Sequence, residues 1–175
     1  MSSNTSLLTS GARVVVTTHN SDGTSIFHSD RTLPSFSPFG PTGSSFTIFD
    51  ARSSVPVNNL SPPPNNLENT LPRVPPTGVN FCITNIAPRY SVPMHRTLSL
   101  DYAVVLSGEI VLALDGGEET TVRAGEFIVQ QGVNHAWHNR TDEVCRIAFV
   151  GVGSQKIRLA GGEELGETVI KVPGK

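Results

Sequence analysis

Read for the alternation of apolar and polar positions, the chain has two textures that meet near Val79. From there on, short apolar runs recur at regular spacing, over residues 79–86, 98–106, 110–114, 126–130 and 144–152. Glycine stands between them, in Ser107-Gly108-Glu109, Asp115-Gly116-Gly117, Ala124-Gly125 and at Gly132. Short strands joined by glycine turns predict an all-β sandwich or barrel. Runs such as Ile110-Val111-Leu112-Ala113-Leu114 are apolar on both faces. Strands of that kind need cover outside as well as inside, so a homodimer, or an arm of the same chain, is expected over them.

Residues 1–78 are richer in Ser, Thr, Asn and Pro, with apolar islands at Val14-Val15-Val16, Ser25-Ile26-Phe27 and Phe46-Thr47-Ile48-Phe49. The first two islands flank His19-Asn20-Ser21-Asp22-Gly23, whose Asp-Gly step signals a hairpin. Pro56, Pro62, Pro63, Pro64, Pro72, Pro75 and Pro76 then make residues 53–78 unfit for a sheet interior, and a surface loop or extended arm follows. The expected division is an N-terminal arm, hairpin and Pro-rich loop over 1–78, a barrel core over 79–152, and a C-terminal strand or tail packing on the barrel over 153–175.

Length and charge narrow the picture. At 175 residues with a net charge of −2, the chain is one domain without the basic footprint of a nucleic-acid or anionic-membrane binder. Its longest apolar runs are too short to span a bilayer. Residues 1–8 lack the basic region and apolar core of a secretory signal, and Cys82 and Cys145 read as two buried thiols. A soluble cytoplasmic protein is expected.

Candidate chemistry gathers around His95 and His135. Side chains alternate along a strand, so His95, Thr97, Ser99 and Asp101 share a face if that segment stays extended. By the same parity His135, Trp137 and Asn139 share one. Where those faces meet, two imidazoles and a carboxylate would line a pocket, with Thr97, Ser99 and Asn139 as polar contacts and Trp137 as its wall. His138 and Tyr102 fall on the opposite faces. His19 and His28 lie on the hairpin, and Arg96 and Arg146 read as solvated cations. No glycine-rich dinucleotide fingerprint is present, so neither a nicotinamide nor a flavin cofactor is expected.

The order of these elements resembles the cupins, whose fold is a double-sheet jelly-roll barrel. In the first cupin motif, His95 takes the first His place, Thr97 stands where the second His is usual, Asp101 takes the Glu place and Gly108 closes the run. In the second, Gly132, His135 and Asn139 match and Gln130 replaces a Pro. The resemblance implies a single-domain jelly roll with an N-terminal β extension. Pro93-Met94-His95-Arg96-Thr97 and Gly132-Val133-Asn134-His135-Ala136-Trp137 look like a narrower subgroup whose fungal members accompany polyketide synthases in salicylaldehyde-type pathways. It implies a small, polyketide-derived substrate. A divalent metal (Fe, Zn, Mn or Ni) on His95, Asp101 and His135 would form a two-His, one-carboxylate triad. Three functions follow: an enzyme that dehydrates or aromatises a cyclic hydroxy-carbonyl, with the imidazoles as acid and base; an Fe(II)-dependent oxygenase; and a non-catalytic small-molecule binder.

Overall fold

Thirteen strands and one four-residue helix make up the described part of the computed structural model, which covers residues 6–61, 64 and 67–168. In chain order they are α1 (Ser6–Thr9), β1 (Ala12–His19), β2 (Ser25–Leu33), β3 (Ser44–Arg52), β4 (Val79–Ile86), β5 (Ser91–His95), β6 (Ser99–Ser107) and β7 (Glu109–Leu114). After them come β8 (Glu119–Arg123), β9 (Phe127–Gln131), β10 (His135–His138), β11 (Cys145–Gly153), β12 (Ile157–Arg158) and β13 (Glu164–Leu165). Two antiparallel sheets face each other as a jelly roll. One is ordered β3-β4-β11-β6-β9 and the other β5-β10-β7-β8.

The glycine turns fall where the strand spacing put them. Gly108, between β6 and β7, has φ +75°, and a Cβ there would lie 2.9 Å from the Val144 carbonyl oxygen, so both conformation and space demand glycine. Between the sheets, Ile86, Ala103, Val105, Ile110, Val122, Trp137, Cys145 and Ile147 form the main buried cluster. Full burial of each large aliphatic among them contributes about 1.5–3 kcal/mol. Cys82 and Cys145 are free buried thiols.

Two features depart from the pattern read in the sequence. Residues 95–101 do not stay extended as the shared face of His95 to Asp101 required: β5 ends at His95 in one sheet and β6 starts at Ser99 in the other. The barrel also reaches back past Val79. The island around Phe46 is β3, which pairs along β4 from Ser44↔Ile86 to Arg52↔Val79. The Pro-rich segment is thus a long loop between two neighbouring strands of one sheet.

β1 and β2 form the expected hairpin as a sheet of their own. Its turn is held by Thr24 N donating to Asp22 Oδ1 at 2.9 Å and by Gly23 at φ +85°. His19 and His28 lie on it, as expected, and both are exposed. On the outer face of the five-stranded sheet, Phe81, Val150, Tyr102 and Val129 stand in one cross-strand row, with Phe127 beside them on the edge strand β9. Val129 is 64% and Phe127 79% exposed, which leaves this face apolar and open. No helix among the described residues is long and apolar enough to cross a membrane.

Candidate functional site

A cavity of about 180 Å³ lies between the two sheets. β5 and β10 supply His95, His135 and Trp137 to it, while β6 and β9 supply Ser99, Asp101 and Gln130. Thr97, on the link between β5 and β6, lines it too. His95 and His135 are direct cross-strand partners, with ring centroids 4.2 Å apart. Trp137 packs edge-on against His135 at 5.4 Å and against Phe149 at 6.1 Å, forming an aromatic wall. Leu71, Pro72, Arg73 and Val74 close one side of the mouth, and Glu167 and Thr168 meet them there. Arg73 pairs with Glu167 at 3.7 Å, and Thr168 N donates to the Arg96 carbonyl at 3.0 Å. The last part of the Pro-rich loop is therefore a wall of the cavity.

Each imidazole is fastened to its own chain two residues back. His95 Nδ1 is 2.8 Å from the Pro93 carbonyl oxygen, and His135 Nδ1 is 3.0 Å from that of Val133. A carbonyl oxygen only accepts, so both Nδ1 atoms carry the proton and both Nε2 atoms offer a lone pair. His135 Nε2 accepts from Gln130 Nε2 at 3.2 Å, and the same amide donates to Asp101 Oδ2 at 3.4 Å. Thr97 Oγ1 donates to Asp101 Oδ2 at 3.4 Å, and Ser99 Oγ donates to Thr97 Oγ1 at 3.0 Å. His95 Nε2 has no hydrogen-bond partner among the described residues.

Burial sets the charge states. It pushes His135 down to about 4, helped by the nearby His95 charge and opposed by the Val133 carbonyl. It also lowers His95, against the Pro93 carbonyl and Asp101, which both favour the cation. The Asp101 carboxyl is raised by burial, in opposition to hydrogen bonds from Ser99, Thr97 and Gln130 and to the charge of His95. Burial, then Asp101, pushes the Cys82 thiol up to about 12. At neutral pH the site holds two neutral imidazoles and an inert thiol.

Asp101 needs room, and Gly151 gives it. A Cβ at Gly151, the cross-strand partner of Asp101, would lie 2.9 Å from Asp101 Oδ1, 2.8 Å from Asn80 Oδ1 and 2.5 Å from Val74 Cγ2.

His95, Asp101, His135, Thr97, Ser99 and Trp137 all line this one cavity, although the extended run from His95 to Asp101 on which the parity argument depended is broken after His95. Asn139 does not. β10 ends at His138, and beyond it Asn139 Nδ2 donates to the carbonyls of Ile86 and Glu143 at 3.0 and 2.7 Å, while its Oδ1 receives Thr141. Asn139 fastens a loop and is absent from the cavity wall, which corrects its place among the substrate contacts. Arg96 is no solvated cation either: its Nε donates to the Gly132 carbonyl at 3.1 Å, and its side chain is 16% exposed. His138 and Tyr102 face away from the cavity as expected, His138 bonding Ser91 Oγ at 2.8 Å. Gln130, which sequence reasoning treated only as a missing Pro, is the residue it overlooked. Its signal is the cross-strand register Asp101↔Gln130.

The donors expected to hold a metal were His95, Asp101 and His135. As the side chains stand, the Gln130 amide lies between Asp101 and His135 and donates to both, where a cation would have to receive their lone pairs. Among the described residues no three His, Cys, Asp or Glu side chains are arranged to hold a metal ion. The residues present do not fit one in this arrangement, and no step below passes through a metal.

The cupin domain family matches residues 82–151. Over 154 residues the chain is 32% identical to phomopsin biosynthesis cluster protein C′ of Diaporthe leptostromiformis, covering 83% of this chain and 80% of the relative. It is 28% identical over 163 residues to oryzines biosynthesis cluster protein J of Aspergillus oryzae, covering 90% of each. A cupin-domain-containing oxidoreductase of Aspergillus ruber is 33% identical over 134 residues, covering 74% of this chain and 66% of the relative. The first two are named as proteins of fungal biosynthetic clusters and the third as an oxidoreductase, and none of the three names points to salicylaldehyde in particular.

Proposed function

The chain belongs to the cupin domain family, and from that premise we propose that it is a small-molecule enzyme of fungal secondary metabolism that dehydrates, and so aromatises, a cyclic hydroxy-carbonyl intermediate of polyketide type. The observation that carries this reading is the His95 Nε2 lone pair, neutral, without a partner among the described residues and held in an aromatic-walled cavity that opens at a mouth. His95 takes the proton next to the substrate carbonyl. The electron pair released forms a ring double bond as the β-hydroxyl departs, and the imidazolium returns the proton to that oxygen, which leaves as water. Asp101 stabilises the imidazolium in between, in keeping with its charge favouring that form of His95. The substrate loses one hydrogen and one hydroxyl, and no oxidant is consumed.

Size supports a single ring. An apolar cavity of about 150 Å³ accommodates benzene, and this one is about 180 Å³. The test is an oxygen-free assay on monocyclic β-hydroxy-ketones. The wild type forms the dehydrated ring, and His95→Gln, polar but without the base, loses about a hundredfold to ten-thousandfold in rate. Undiminished turnover in His95→Gln refutes the mechanism. The name of the Aspergillus ruber relative favours a second reading, oxidation of the same ring. A product that forms only when oxygen or another electron acceptor is supplied establishes that one instead.

A further inference from the structure

Asn80 brings to the cavity a donor that the chemistry above does not use. It is 4% exposed and stands on β4, whose alternate residues Asn80, Cys82, Thr84 and Ile86 all line the cavity. The orientation of its amide is set by a neighbour. Gly151 N donates to Asn80 Oδ1 at 3.2 Å, and turning the amide over would set two donors against each other. Asn80 Nδ2 is thereby left without a hydrogen-bond partner among the described residues. Unlike Ser44 Oγ and Gln130 Oε1, it is not sealed by its surroundings, and the residue that carries it faces inward to the cavity. Asn80 and Asp101 are neighbours there: a Cβ at Gly151 would lie 2.8 Å from Asn80 Oδ1 and 2.9 Å from Asp101 Oδ1. Asp101 is in turn near enough to His95 for its charge to favour the imidazolium. A free N–H donor and a free imidazole lone pair therefore stand at one end of the cavity. Buried donors are almost always satisfied, and an open one in a cavity wall has room for an acceptor on a ligand.

We infer that Asn80 Nδ2 donates to the carbonyl oxygen of the ligand, which makes Asn80 a further catalytic residue of the site. This rests on the dehydration proposed above, and it fixes how the ring lies, with its carbonyl oxygen toward Asn80 and the adjacent C–H toward His95. As His95 takes that proton, the electron pair moves toward the carbonyl and negative charge builds on its oxygen, where the amide N–H meets it. The pair returns to form the ring double bond as the hydroxyl departs, and no proton passes from Asn80. A donor held in place beforehand, where charge develops, lowers the barrier more than it strengthens binding of the uncharged ketone. The bond from Gly151 is what holds it there.

The test uses cyclohexanone and methylenecyclohexane, which differ only in a carbonyl oxygen against a CH2 group, with binding followed by the fluorescence of Trp137, the one tryptophan of the chain. Asn80→Leu, similar in shape but without the donor, is expected to lose about tenfold in affinity for cyclohexanone, the usual scale for one buried neutral hydrogen bond, and to keep its affinity for the hydrocarbon. Should that variant not fold, the side-chain N–H resonances of Asn80 in the wild type decide: cyclohexanone moves one of them downfield and methylenecyclohexane does not. Absence of cyclohexanone binding, undiminished affinity for it in Asn80→Leu, an equal loss for both probes, or an Asn80 N–H unmoved by the ketone overturns the inference. These readouts need no turnover. In the oxygen-free assay Asn80→Leu should lower kcat about a hundredfold to a thousandfold. A protein that holds cyclohexanone through Asn80 yet dehydrates nothing keeps this contact and loses the proposed reaction, and a dehydratase indifferent to Asn80→Leu does the reverse.

Discussion

His135 makes the fold acid-sensitive by an amount that can be worked out from its surroundings. The side chain is 2% exposed, wedged between His95 and Trp137, and burial holds its pKa at about 4 against an ordinary 6.5. In the unfolded chain it takes a proton as the pH falls through 6.5, whereas in the folded chain it stays neutral until about 4. The unfolded state therefore binds more protons throughout that window, and stability, complete above it, drains away as the pH falls across it. A displacement from 6.5 to about 4 corresponds to about 3 kcal/mol, a sizeable part of the roughly 5–15 kcal/mol of a typical domain. Urea unfolding followed by circular dichroism over a series of pH values measures it. His135→Gln, which cannot titrate, should lose about 3 kcal/mol less than wild type across the window, whatever its stability at neutral pH. His95 remains in both proteins, so its own contribution largely cancels. Parallel stability curves for the two proteins refute the reasoning.

Three further outcomes follow. Asp101→Asn removes a charge that favours the His95 cation, so the His95 pKa, read from its ring Cε1–H resonance, should move further below the wild-type value; an upward move contradicts the assigned contact. Gly151→Ala sets a methyl against Val74, Asn80 and Asp101 and should cost about 1–3 kcal/mol by overpacking, seen as a lower melting temperature, with an unchanged melting curve counting against the close approach. The apolar outer face from Phe81 to Phe127 and a two-stranded hairpin with no further strand beside it among the described residues lead to a homodimer at micromolar concentration; light scattering that returns the mass of one chain contradicts it.

The barrel was legible because its signals are local. From β6 to β10 the strands are separated by turns at Gly108, Gly116-Gly117, Gly125 and Gly132, and those turns form as read. β3 was not legible as a barrel strand, since its partner β4 lies beyond a Pro-rich loop and only long-range pairing reveals it. In the site, parity carried the argument only as far as extended chain lasts. It failed for Asn139, one residue past the end of β10. Its premise also fails between His95 and Asp101: Thr97, Ser99 and Asp101 reach the cavity by a different route, because the chain breaks after His95 and crosses between the sheets around it. Gln130 escaped because its neighbours Asp101 and His135 come from two other strands, in separate sheets, and no spacing along one strand shows them together.

The two imidazole tethers bear on how such a site can diversify. Both end on main-chain carbonyls, of Pro93 and Val133, and a carbonyl of the backbone survives almost any substitution of the side chain it belongs to. The walls around Trp137, Gln130 and the Leu71–Val74 loop are free to vary, and with them the ligand, while the nitrogen that carries the proton on each ring stays the same. Descendants of such a scaffold inherit their proton chemistry from the path of the chain and their choice of ligand from its side chains, so the two can change independently.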